Sequence, residues 1–129
     1  MSDRVDRGDS RVTITGEEVS LPPATAQALA LVVHELATNA AKHGALSVPT
    51  GRVDLAWGPG DAPDGNGLGL VWSETGGPET APPTRRGFGR RPIERGVGYS
   101  LSGQTRFEFR PEGLRCEITI PLDRAAARA

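Results

Sequence analysis

The stretch LALVVHELATNAAKH, residues 29–43, decides how the chain folds. Leu29, Val32, Val33, Leu36, Ala37 and Ala40 recur at three- and four-residue intervals, the spacing of one buried helix face. Glu35, Asn39 and Lys42 follow at i, i+4 and i+7 and project from one side of the same helix. A carboxylate, a carboxamide and an ammonium aligned beside a core face suit a ligand. The two oxygen groups can hold a hard cation, and the ammonium can meet a phosphate. The same three residues also suit an ordinary solvated face, so the rest of the chain has to separate the readings.

Outward from this helix, short alternating runs predict strands. Arg11 to Thr15 places Val12 and Ile14 on one face, and Val19 to Leu21 is a second short strand candidate. Pro22 and Pro23 punctuate, Thr25 is a candidate helix cap, and Gly44 is expected to end the helix in a left-handed conformation. Arg52 to Trp57 alternates with Val53, Leu55 and Trp57 inward. Residues 58–67, GPGDAPDGNG, read as a hairpin loop before a strand from Leu68 to Glu74. Residues 75–89, TGGPETAPPTRRGFG, are too rich in glycine and proline for a regular element, and long loops in small domains are often functional. A short helix is expected over Arg90 to Ser100, with Pro92 tolerable only in its first turn and Gly96 and Gly98 weakening it. A final hairpin turns at residues 111–113, with Phe107 and Phe109 inward on one strand and Leu114, Cys116, Ile118 and Ile120 on the other. Strands and helices segregate, which predicts an α+β domain whose antiparallel or mixed sheet is covered on one face by helices.

Composition narrows the class. The 129 residues suit one domain, with 36% hydrophobic and 24% charged residues and a net charge of −1. No basic stripe is interleaved with aromatics, so nucleic acid is not an expected partner. No apolar run has spanning length, and residues 1–11 carry no apolar signal region, so neither membrane contact nor export is expected. The single cysteine, Cys116, cannot form an internal disulfide and suits a reducing cytoplasm. It reads as a small inward residue and not a nucleophile. HELAT is not a zinc helix, since Thr38 stands where a second histidine would be needed. Gly87-Phe88-Gly89 before a helix is compatible with phosphate approach, but neither a Walker nor a Rossmann pattern is present.

HELATNAAKHGALS, residues 34–47, followed by VWSETGGP, residues 71–78, and RGFG, residues 86–89, resembles the ATP-binding domain of HWE-family sensor histidine kinases. That family is named for a histidine and a Trp-x-Glu box, here His34, Trp72 and Glu74. The resemblance covers about residues 11–122, leaving 1–10 as a flexible segment and 123–129 as a frayed tail. It implies a Bergerat-type two-layer α/β sandwich with a mixed, mostly antiparallel sheet. It further implies ATP and Mg²⁺ as cofactors, with Asn39 ligating the metal and Glu35 orienting the reacting group or acting as a base. Lys42 and His43 would lie beside the phosphates, Glu74 would meet the adenine amino group, and Gly76 would line the adenine pocket. Gly87 and Gly89 would form the phosphate loop, and residues 78–86 would be the ATP lid, with Arg85 and Arg86 near the phosphates.

The implied function is donation of the ATP γ-phosphate to a histidine on a separate dimerisation domain, in cis or in trans, with a response regulator downstream. His34 and His43 both lie in the ATP box and are not credible acceptors. His34 reads rather as a core histidine, or one that hydrogen-bonds a loop, and Trp72 as core. Two other functions share the pattern: a standalone anti-sigma-type serine kinase, and a degenerate module that docks a response regulator without catalysis, which Pro92 and the nearby glycines favour.

Overall fold

The computed structural model describes residues 11–60, 67–78 and 90–121. The terminal segments, the predicted lid arginines Arg85 and Arg86 and the predicted phosphate-loop glycines Gly87 and Gly89 lie outside them. Five strands form one sheet: β1 (Val12–Thr15), β2 (Arg52–Gly60), β3 (Gly67–Thr75), β4 (Gln104–Arg110) and β5 (Gly113–Pro121). Their spatial order is β1-β2-β3-β5-β4. The β1–β2 pair is parallel and the other three pairs are antiparallel. The parallel pair requires a crossover, and the long helix α1 (Pro23–Lys42) supplies it. A second helix, α2 (Arg90–Arg95), runs into a π-helical turn over Gly96–Ser100.

The register explains how one face becomes the core. Ile14, Leu55, Trp72, Cys116 and Phe107 stand opposite one another across all five strands. Leu70 and Ile118 continue a second row, and Leu68 and Ile120 a third. Side chains alternate along a strand, so these rows share one face. Val32, Leu36 and Ala40 from α1 and Ile93 and Val97 from the α2 segment cover it. The opposite face is charged: Glu108 on β4 pairs with Arg106, Arg110 and Arg115, and Arg115 also pairs with Glu117. The two-layer α+β class expected from the pattern is therefore the observed one.

Several local expectations change. Val19 to Leu21 is not a strand; Val19 is exposed and nothing pairs with it in the sheet. Thr25 does not cap α1, which begins at Pro23 after Pro22 with no side-chain cap. Proline serves there because the first helical N–H has no partner to lose. β2 and β3 extend through Gly60 and Gly67, shortening the predicted hairpin loop to residues outside the described set. Pro59 is tolerated because β1 ends opposite Ala56, leaving β2 an edge at that point. Pro92 sits in the first turn of α2 as required, and α-helix gives way at Gly96. A Cβ at Gly96 would press on Val32, so this glycine brings the segment against α1.

Cys116 is fully buried between Trp72 and Phe107 in the register. Burial pushes its thiol up from an ordinary value of 9.0 to about 12, with the charges of Glu117, Glu94 and Glu74 adding to the effect. The folded thiol should therefore resist Ellman-type reagents at pH 8 and react only on denaturation. Above about pH 9 the unfolded thiol ionises while the folded one keeps its proton to about 12. Stability should then fall with rising pH, at up to about 1.4 kcal/mol per unit from this group. Denaturant titrations from pH 8 to 10.5 should show a flatter dependence in Cys116→Ala; identical slopes would contradict the assignment.

Candidate functional site

The polar side chains singled out in the sequence gather where the C-terminal end of α1 meets the end of β3. Along α1, Glu35 is half-buried, Asn39 is buried and Lys42 is exposed in the last turn. The stripe thus crosses from the core edge to solvent, which a purely solvated face would not do. Asn39 is only 6% exposed, and its Nδ2 has no hydrogen-bond partner among the described residues. A buried amide left unpaired costs about 1–3 kcal/mol, and natural folds rarely keep one without a reason. His43 ends the helix, its backbone N–H donating to the Asn39 carbonyl at 2.8 Å. His34 is exposed, so the expected packing role does not hold.

Among the described residues Glu74 is the other buried polar residue, 5% exposed at the end of β3. Its Oε1 accepts the Ala45 backbone N–H at 3.0 Å, and its Oε2 accepts the Trp72 indole N–H at 2.9 Å. Trp72 is core, as read from the sequence, but it is also a donor. Residues two apart on a strand share a face, so Trp-x-Glu is a spacing that lets an indole reach a carboxylate.

This carboxylate shapes its surroundings. A Cβ at Gly44 would clash with Glu74 Oε1, which is why glycine stands there. The expected left-handed helix terminator is absent: Gly44 has φ −113°. Gly76 has a left-handed backbone, at φ +73°, and a Cβ there would strike the Thr50 carbonyl. Thr50 Oγ1 donates to the Gly76 carbonyl at 2.8 Å, tying the end of β3 to the loop that follows α1. Arg11 holds that loop from the other side, its guanidinium donating to the carbonyls of Gly51, Ala45 and Val48 at 3.1, 3.4 and 2.5 Å. Arg11 and Ala45 were not singled out in the sequence, and Gly44 was read only as a helix terminator. Arg11 lies 40 residues from Gly51 and belongs to no local pattern.

The arrangement fits a nucleotide with its metal. Among the described residues no three His, Cys, Asp or Glu side chains cluster to hold an ion by themselves. A divalent ion here would share Asn39 with oxygens from a phosphate ligand and water, as Mg²⁺ commonly does. The Asn39 amide has its Nδ2 unpaired among the described residues, and since its nitrogen and oxygen ends are interchangeable by a flip, an oxygen at that position would suit such an ion.

Gly44→Ala should lower stability by about 1–3 kcal/mol through this forced contact. In a Glu74→Ala background the same substitution should cost clearly less, because the clashing oxygen is gone. A thermal-denaturation cycle measures both, and additive effects would remove Glu74 as the reason for Gly44.

No family model matches the chain. It is 42% identical over 121 residues to blue-light-activated histidine kinase 1 of Erythrobacter litoralis, covering 91% of this chain and 32% of that protein. It is 39% identical over 112 residues to the blue-light-activated histidine kinase of Rhizobium johnstonii, covering 87% of this chain and 32% of that protein. The chain thus spans about a third of the length of these relatives. Its fold matches the Erythrobacter litoralis EL346 blue-light activated histidine kinase with a TM-score of 0.73 at 23% identity, over 91% of this chain and 36% of that one. It also matches the catalytic domain of histidine kinase ThkA, with a TM-score of 0.64 at 13% identity, over 87% and 79% of the two chains. By sequence the chain is related to about a third of these histidine kinases, and its fold is that of histidine-kinase catalytic domains.

Proposed function

We propose that the chain binds ATP with Mg²⁺ and donates the γ-phosphate to a histidine on a separate dimerisation domain, in cis or in trans, for relay to a response regulator. The observation that carries this reading is the buried, unpartnered Asn39 amide on α1, at the same end of the sheet as the buried Glu74. Its context is the chain's kinship with histidine-kinase catalytic domains.

Each residue has a role that its chemistry supports. Asn39 presents a carboxamide oxygen to the metal. Glu35, one helical turn earlier and half-buried, orients the reacting group or a metal-bound water and is the candidate base. Lys42 and His43, exposed at the helix end, supply cationic or hydrogen-bonding groups to phosphate. Glu74 accepts the adenine amine with lone pairs that its two protein donors leave open. Gly76 allows close backbone approach at the base. Bound Mg²⁺ neutralises phosphate charge, and phosphoryl transfer beyond that depends chiefly on positioning. Both histidines of the chain belong to α1 or its cap, so an in-line acceptor is assigned to another domain.

Asn39→Ala should abolish the Mg²⁺-dependent part of ATP-analogue affinity. It should leave folding stability within about 1 kcal/mol, because losing an unpaired buried amide offsets the lost packing. Calorimetric titration with and without Mg²⁺, beside thermal melting, tests this; unchanged Mg²⁺ dependence would take Asn39 out of the site. With labelled ATP, the 129-residue chain alone should carry no acid-labile phosphate, while an added HWE-type acceptor domain should become labelled. Label on the lone chain would refute the separate acceptor, acid-stable label on a protein substrate would indicate a serine kinase, and no label anywhere would indicate a non-catalytic module.

A further inference from the structure

The chain contains two tryptophans, and their indole N–H groups have different partners. Trp57 donates to the Glu17 backbone carbonyl at 2.7 Å, at the periphery. Trp72 is 3% exposed and donates to a carboxylate, Glu74 Oε2, at 2.9 Å. The second oxygen of that carboxylate is held by the Ala45 N–H at 3.0 Å. Ala45 itself is anchored, since Arg11 grips the carbonyls of Ala45, Val48 and Gly51.

We infer that Trp72 is a positioning residue for nucleobase selection, setting the plane of the Glu74 carboxylate so that its open lone pairs meet the 6-amino group of a purine and not a 6-oxo group. This deepens the reading of Glu74 as the adenine contact and rests on it. A glutamate side chain has three rotatable bonds, and an unrestrained one at a strand end samples several rotamers. Donors on opposite oxygens remove that freedom before any ligand arrives, so ordering is not charged against binding. Indole suits the task for two reasons. Its N–H is a donor with no acceptor capacity, so it cannot itself receive the amine hydrogen. Its ring is locked between Leu55 and Cys116 in the sheet register, so the N–H has a fixed origin. Phenylalanine would fill much of the same space without the donor. The carboxylate so held offers acceptors only, which favours the 6-amino group of adenine over the 6-oxo group of hypoxanthine or guanine.

The test compares ADP and IDP, each with Mg²⁺, which differ at that one position of the base. In calorimetry, Trp72→Phe should lose about tenfold in ADP affinity, the scale of one charge-assisted hydrogen bond, with IDP affinity changed by less than about twofold. Equal weakening of both would mean a merely structural Trp72 and would overturn the proposal, as would an unchanged ratio. Glu74→Ala should collapse the ADP-to-IDP ratio, and adding Trp72→Phe should then change it no further. A wild-type ratio retained in Glu74→Ala would sink the adenine reading itself, a failure distinguishable from a silent Trp72→Phe. Should Trp72→Phe not fold, the unaltered protein still decides. Of its two indole N–H resonances, that of Trp72 should exchange slowly and shift on ADP but not on IDP, while Trp57 stays still. A fast-exchanging Trp72 signal, or the same shift with both nucleotides, would overturn the proposal.

Discussion

A carboxylate buried at the end of β3 is the constraint around which the functional end of this domain is arranged. Taking Glu74 out of water would cost several kcal/mol if nothing compensated it. Two N–H donors compensate, one from the sheet and one from the loop beyond α1. Each places a demand on its neighbours. The Ala45 amide reaches Oε1 only because Gly44 has no side chain, and the loop bearing Ala45 keeps its shape through Arg11 and Thr50. One charge thereby couples β1, β3 and the C-terminal end of α1, three elements distant in sequence. Removing either donor would leave part of a buried charge uncompensated, so this corner should be stiffer than its glycine content suggests.

Asn39 stands in contrast. Glu74 has both oxygens engaged, whereas Asn39 is nearly as buried and its Nδ2 engages nothing. Stability alone would favour an apolar residue at that place on α1, between Leu36 and Ala40 in the covered face. On the proposed reading, the pair divides the work of a nucleotide site. The carboxylate is fixed in advance, which suits recognition of a rigid base. The amide is left open, which suits a metal–phosphate group whose charge the protein alone cannot hold. Stability forgone at a functional position is common in enzymes.

Much of this was legible in the chain. Alternation in residues 52–57, 68–74 and 114–120 identified three strands, because each buries only one side. The 3.6-residue recurrence in residues 29–43 identified α1. What escaped has physical causes. Val19 to Leu21 looks apolar, but three residues against Pro22 find no strand partner. Gly44 looks like a helix terminator because glycine commonly is one; its actual reason, the Glu74 oxygen, lies across the fold. Arg11 acts on carbonyls 34 to 40 residues away, and no spacing rule reaches that far. Glu35, Asn39 and Lys42 stood out through helix periodicity and Glu74 through the Trp-x-Glu resemblance, whereas the contacts made by Arg11 and Ala45 are a matter of tertiary packing.

The same distinction bears on how such a site changes. Trp72 and Glu74 are two residues apart on one strand, so their hydrogen bond is written into local sequence and survives any shift of the helices. Ala45 and Arg11 reach the carboxylate through loops, so their contribution depends on how α1 is seated. If α1 moves against the sheet, the Oε1 contact must respond first while the indole keeps Oε2. The carboxylate would then pivot about the indole instead of coming free. A base bound to Glu74 would feel that pivot directly, and Asn39, on the moving helix, would shift with the phosphate end. On the proposed reading, base and phosphate recognition would therefore be coupled through the seating of one helix, with Trp72 as the fixed point.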